Sequence, residues 1–173
     1  ATVAVAGMAL ATAPTSAETL KMGVRNLPPG QGNPYSGRGI PHVFVWTTFF
    51  DNLTVLGEGG VVQPGLADSW SVSDDKMTWT FKLKTGVTFH NGAPLNAAAI
   101  KATFDWLQSE AGSTTVIGKN LASVVASASV VNDTTVAITT KTPNPIAPRE
   151  FVAVHIVEPG AWKDLGVEGF AKQ

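Results

Sequence analysis

The chain has 173 residues, 44% of them hydrophobic and 14% charged, which is too apolar and too weakly charged for disorder and long enough for one domain with a modest core, but short for a large two-lobed protein. Twelve Lys and Arg stand against thirteen Asp and Glu, a net charge of −1 with no basic block, which argues against a nucleic-acid surface or an electrostatic membrane anchor. The absence of cysteine excludes a disulfide framework, a thiolate zinc site and a cysteine nucleophile.

Residues 1–17 carry no charge, and the apolar run at 3–11 is far shorter than the roughly 20 residues a spanning helix needs. Pro14, Thr15, Ser16 and Ala17 form a small-residue exit before Glu18 and Thr19, the ending of a secretory signal peptide cleaved after Ala17. No charged region precedes this stretch, and residues 166–173 end on a loop pattern with no closing element, so we expect a piece of a longer protein.

Residues 19–24 alternate Leu20, Met22 and Val24 with polar neighbours and predict a short strand, closed by Leu27, Pro28, Pro29 and Gly30. A long polar, glycine-rich connection follows at 31–39, of the kind that is more often functional than idle. From 42 to 53 apolar residues crowd every face, which predicts a mostly buried helix, with strand competing because Val43, Phe44 and Val45 favour extended chain. Residues 67–73 and 77–84 predict an antiparallel hairpin across Asp74-Asp75-Lys76, with Trp79, Phe81 and Leu83 on the core face and Thr80, Lys82 and Lys84 opposite. Thr85-Gly86 and Asn91-Gly92 mark turns around the extended 87–90, glycine accepting positive φ without a Cβ penalty. Asn96 is placed to cap a helix at 97–107 whose Ile100, Phe104 and Leu107 recur at i, i+4, i+7. After a small-residue loop at 111–115 we expect a second helix over 119–126. A second hairpin then pairs 129–131 with 134–139 across Asn132-Asp133, and Pro143, Pro145 and Pro148 end it.

Catalytic and cofactor motifs fail on spacing. Residues 112–120 approach a phosphate-binding loop but put five residues between the glycines where four are needed, and Asn120 where a hydroxyl belongs. Gly30 and Gly32 lack a third glycine at dinucleotide spacing, and no G-x-S-x-G elbow is present. His42, His90 and His155 stand singly, without metal-ligand spacing, and Asp74-Asp75 beside Lys76 suit a solvated turn better than an acid pair. No catalytic residue, metal ligand or cofactor site is assigned.

FDNL at 50–53, the run PGLADSWSVSDDKMTWTFKLKTGVTFHNGAPL at 64–95, the helix after Asn96 and IVEP at 156–159, in that order, resemble the family 5 extracellular solute-binding proteins, the peptide, nickel and oligopeptide receptors of bacterial ABC importers. The resemblance implies an α/β fold with α+β character in this chain: the first-lobe portion of a two-lobed periplasmic-binding-protein fold, with antiparallel hairpins and short helices. It implies residues 18–40 as first strand and cleft loop of the first lobe, 41–160 as its inserted subdomain and 161–173 as the return into the lobe, with the second lobe absent. Lacking its clamp partner, such a chain is expected to bind solute poorly on its own and to aggregate.

A peptide cleft needs backbone donors and acceptors, aromatic walls and charges, a mixture that 33–39 offers with Tyr35 and Arg38 inside it. By resemblance Asn33, Tyr35 and Ser36 face the ligand, with a solvated loop as the competing reading; His155 falls where relatives place a cleft-facing polar residue, with a satisfied structural histidine competing. Trp46 and Trp106 could wall a pocket, though aromatics at helical spacing are usually core, and Phe89-His90-Asn91-Gly92 reads as a fold-specifying turn. The implied protein is a secreted, periplasmic receptor, monomeric at full length, that captures a small peptide or similar solute noncovalently for the transmembrane subunits of an ABC permease, and is not an enzyme. The alternative is an extracytoplasmic enzyme or carbohydrate-binding module whose aromatic hairpins only mimic the family.

Overall fold

The computed structural model describes residues 32–35 and 45–163. The expected leader at 1–17, the strand at 19–24 and the chain end at 166–173 lie outside these residues.

Residues 45–46 close one helical turn, with Phe50 N–H bonded to the Trp46 carbonyl at 2.8 Å, and the chain then extends. The expected helix is thus present at 45–46 among the described residues but does not run on to 53. Asn52 instead bridges antiparallel to His155, about a hundred residues on, and Thr54–Leu56 (β1) pairs with Val62–Pro64 (β2). Apolar residues on every face carried no helical period, and the extended pairing partner lies too far along the chain to be read locally.

The main sheet is four-stranded and antiparallel, ordered β3-β4-β6-β5 from Ala67–Val72 (β3), Thr78–Leu83 (β4), Val125–Asn132 (β5) and Thr135–Thr140 (β6). The predicted hairpin is present, with Val72 opposite Trp79 and Trp70 opposite Phe81. Its turn places Lys76 at φ 59°, and the Asp75 carboxylate accepts from Ser73 Oγ and from Met77 N–H, bonds that hold its pKa below the ordinary value. Alternation along β4 buries Trp79, Phe81 and Leu83 as expected and leaves Lys82 exposed.

Between β4 and β5 lie Ala97–Gln108 (α1) and Val116–Val124 (α2). Asn96 caps α1 as predicted, its Oδ1 accepting from Ala99 N–H at 2.9 Å, and Ile100, Phe104 and Leu107 are buried against the sheet. The second helix starts three residues before the predicted 119, because Thr115 Oγ1 accepts from Gly118 N–H at 3.0 Å and so caps it there. It also ends earlier, as β5 begins at Val125. Gly118 is required by close approach: a Cβ there would lie 2.1 Å from the Gly112 carbonyl oxygen. The second hairpin forms with a longer first strand than the expected 129–131, and Ala97 N–H donates to the Asp133 carbonyl in its turn. Pro148 sits early in a one-turn helix, Ala147–Glu150 (α3), rather than only terminating a strand.

One apolar core joins these elements. Phe81 of β4 and Phe104 of α1 both pack edge-to-face on Phe151, at centroid distances of 5.8 and 5.4 Å. Trp79 is buried and its indole N–H donates to the Asn144 carbonyl at 3.0 Å, tying β4 to the segment before α3. Trp79→Ala is therefore expected to cost about 3–5 kcal/mol in urea unfolding; a variant that kept its stability and lost ligand binding instead would make Trp79 an exposed platform and contradict this placement.

Candidate functional site

Three of the four predicted site residues, Asn33, Tyr35 and His155, are among the described residues, and Tyr35 meets the return segment after α3 at His155. Asn33 Oδ1 accepts from Tyr35 N–H at 2.8 Å, a local turn, and the Tyr35 hydroxyl donates to the His155 carbonyl across 120 positions of sequence. Around the phenol stand Trp106 and Trp162, with centroids 5.3 and 5.9 Å away, and these two indoles meet edge-to-face at 4.7 Å. Asn33, Tyr35 and His155 are 2%, 3% and 3% exposed, so in the described residues each is a packed group. Ser36, Arg38 and the remainder of that loop to 39 lie outside the described residues.

Burial sets the electrostatics here. It pushes the Tyr35 phenol well above its ordinary pKa and the His155 imidazole down to about 4, so both are neutral at pH 7. The His155 ring lies 6.0 Å from Phe50, and its Nδ1 has no hydrogen-bond partner among the described residues. Asn52, bridged to His155, donates through Nδ2 to the Val152 carbonyl at 2.7 Å, while its Oδ1 is likewise without a partner among those residues. Trp46 is buried edge-to-face on Phe50, whereas Trp106 is half-buried against the core and also walls a second cavity with Trp162 and Val157, so it takes both of the roles weighed for it.

Sequence reasoning missed the cavity beside this cluster. It has a volume of about 260 Å³ and is walled by Phe49, Phe50 and Asp51, by the turn at 87–91, and by Ile156, Val157 and Glu158. The 89–92 segment is the tight turn expected, with Gly92 at φ 84°, and its Phe89, His90 and Asn91 also line this cavity. Glu158 ties the walls together: its carboxylate accepts from Ala161 N–H at 2.5 Å, Gly160 N–H at 2.9 Å and Asn91 Nδ2 at 3.2 Å. Those bonds, led by the two backbone ones, hold its pKa below the ordinary carboxylate value. Residues 159–163 are helical, so Glu158 satisfies the free N–H groups of that helix's first turn, with Pro159 at the first helical position. Among the described residues no three His, Cys, Asp or Glu side chains gather as they would around a metal ion, and no helix is long and apolar enough to cross a membrane.

The family of bacterial extracellular solute-binding proteins, family 5, middle region, matches residues 61–168. The chain belongs to family 5 of these solute-binding proteins. Against the glutathione-binding protein GsiB of Escherichia coli, this family 5 chain is 34% identical over 111 residues, 64% of its own length and 21% of the relative's. It thus spans about a fifth of the length of the curated relatives it matches. Among solved structures it is similar to NikA from Brucella suis in complex with Fe(III)-EDTA, with TM-score 0.60 and 30% identity over 68% of this chain and 24% of that one. It also shares a fold with OppA of Haemophilus influenzae, solved with the peptide RPPGFSPFR, at TM-score 0.69 and 22% identity over 80% of this chain and 30% of that one. The mixed helix and strand architecture with antiparallel sheets is thus that of part of a periplasmic-binding-protein fold, as the resemblance implied.

Two outcomes follow from the Tyr35 and His155 geometry. Tyr35→Phe removes the donor to a buried carbonyl and should lower stability by about 1–2 kcal/mol without unfolding the core. For His155 the folded pKa of about 4 lies below the 6.5 of the unfolded chain, so its neutral form stabilises the fold fully above pH 6.5 and that contribution is lost as pH falls from 6.5 towards 4. The loss is on the order of 3 kcal/mol. Urea titrations over this range should show His155→Gln with a shallower decline than the parent; equal slopes would place the histidine in water.

Proposed function

We infer that this protein is the solute-capturing component of an ABC importer, holding a small peptide or similar solute noncovalently outside the cytoplasm and passing it to the transmembrane subunits of a permease. Membership of family 5 across residues 61–168 carries the reading. The relatives bound the ligand range, since GsiB is named for glutathione, a peptide, and the NikA structure holds Fe(III)-EDTA, a small chelate. No chemistry is required of such a receptor, and we propose that the protein is not an enzyme, acts in the periplasm and is a monomer in its working form.

In this reading residues 18–40 supply the first strand and cleft loop of a lobe, 41–160 its inserted subdomain and 161–173 the return. Asn33, Tyr35, Ser36 and His155 mark the solute side. What supports this is their convergence: the Tyr35–His155 bond and the Asn52–His155 bridge fix two distant segments side by side. With the side chains of Asn33, Tyr35 and His155 so buried, the part of these residues is to set the backbone presented to a solute, whose amide groups an extended peptide can pair with.

Isothermal titration of the protein as its gene encodes it, against di- to pentapeptides including glutathione, tests the reading. Saturable binding with Kd micromolar or tighter, about −8 kcal/mol or more favourable, and recovery of intact peptide by mass spectrometry are expected. Cleavage of the peptide, or binding to glycans and to no peptide, would overturn it.

A further inference from the structure

The cavity between the 87–91 turn and the return segment is one-sided in charge. Its formal charges are Asp51 and Glu158, and neither Lys nor Arg is among its lining residues. Phe50 and Phe89 present half-buried rings, and Phe49, although it lines the same cavity, is 61% exposed. The Glu158 carboxylate already accepts three N–H donors, most of what its lone pairs can take, so it fixes the wall and adds negative potential. Asp51 differs. It is exposed, its backbone carbonyl accepts from Ile156 N–H at 2.9 Å, and its carboxylate makes no hydrogen bond or ion pair among the described residues.

We propose that this cavity binds a primary ammonium group carried on an apolar body, the ammonium against Asp51 and the body against Phe49, Phe50 and Phe89. An anion would meet two carboxylates of its own sign. A neutral apolar guest would strip water from Asp51 without replacing it, which is unfavourable for an ionised group. A cation answers the carboxylate and also interacts with the phenylalanine faces. The volume suits the guest: an apolar cavity of roughly 150 Å³ holds benzene, and about 260 Å³ leaves room for a two-carbon arm ending in the ammonium. The chemistry is shared by a free arylalkyl amine and by the amino terminus of a peptide that begins with an apolar residue. The proposal rests on this cavity alone and not on the importer reading.

The experiment is a two-dimensional amide NMR titration of the protein at pH 7 with phenethylammonium, against 2-phenylethanol and phenylacetate as neutral and anionic matches. Saturating shifts at Asp51, Phe89, Asn91 and Val157 are expected with the ammonium, weaker binding with the alcohol and none with the carboxylate. Asp51→Asn should weaken the ammonium about two- to fivefold and leave the alcohol unchanged, while Phe49→Ala, at an exposed position that folding does not need, should weaken both. Phenylalaninamide and its N-acetyl form separate the sources: binding of the first and not the second extends the site to a peptide terminus, and binding of phenethylammonium alone confines it to free amines. Equal affinity for ammonium and alcohol, insensitivity to Asp51→Asn, or shifts confined to other regions would overturn the proposal. Peptide capture in the calorimeter could still succeed in that case, so the two readings fail separately.

Discussion

Phe151 sits with one ring edge against Phe81 of the central strand and the other against Phe104 of α1, and the remaining architecture depends on that contact. The three residues are far apart in sequence, come from a sheet, a helix and a short turn, and are all fully buried. Burying such side chains contributes about 1.5–3 kcal/mol each, and edge-to-face pairing adds about 0.5–1.5 kcal/mol per pair. Their position matters more than the sum. Phe151 begins the segment that runs through Val154, His155 and Ile156, so the core that holds the sheet to α1 also sets where the candidate site begins.

From that anchor the site is built by extended pairing. Asn52 bridges His155, Ile156 N–H donates to the Asp51 carbonyl, and the Tyr35 hydroxyl closes onto the His155 carbonyl. Each contact joins parts of the chain that a local reading treats as unrelated. The seam is also where Trp46 Nε1, Asn52 Oδ1 and His155 Nδ1 are buried without a partner among the described residues.

Legibility in the sequence followed the range of the interaction. The β3–β4 hairpin, the Asn96 cap and the apolar stripe of α1 were readable because period two, a capping side chain and an i, i+4, i+7 spacing are decided within a dozen residues. The segment after 46 misled because Asn52 pairs with His155 far along the chain, and the start of α2 shifted because Thr115, a cap, looked like part of a loop. At the site, convergence of Asn33, Tyr35 and His155 came from family resemblance, whereas their depth of burial depends on Trp106 and Trp162 folding over the phenol, which no spacing rule reveals. The cavity between 87–91 and 156–158 went unread for the same reason: its walls are drawn together by Glu158 and Asn91, 67 residues apart.

The central claim is that the sheet, α1 and the return segment form one cooperative body that places the site. Native-state hydrogen exchange tests it most directly. The account predicts that the amide of Ile156, bonded to the Asp51 carbonyl, exchanges with the same opening free energy as the amides of Phe81 and Ile138 in the sheet, and that denaturant lowers all three together. Exchange at Ile156 through a separate opening, several kcal/mol cheaper and insensitive to denaturant, would contradict it.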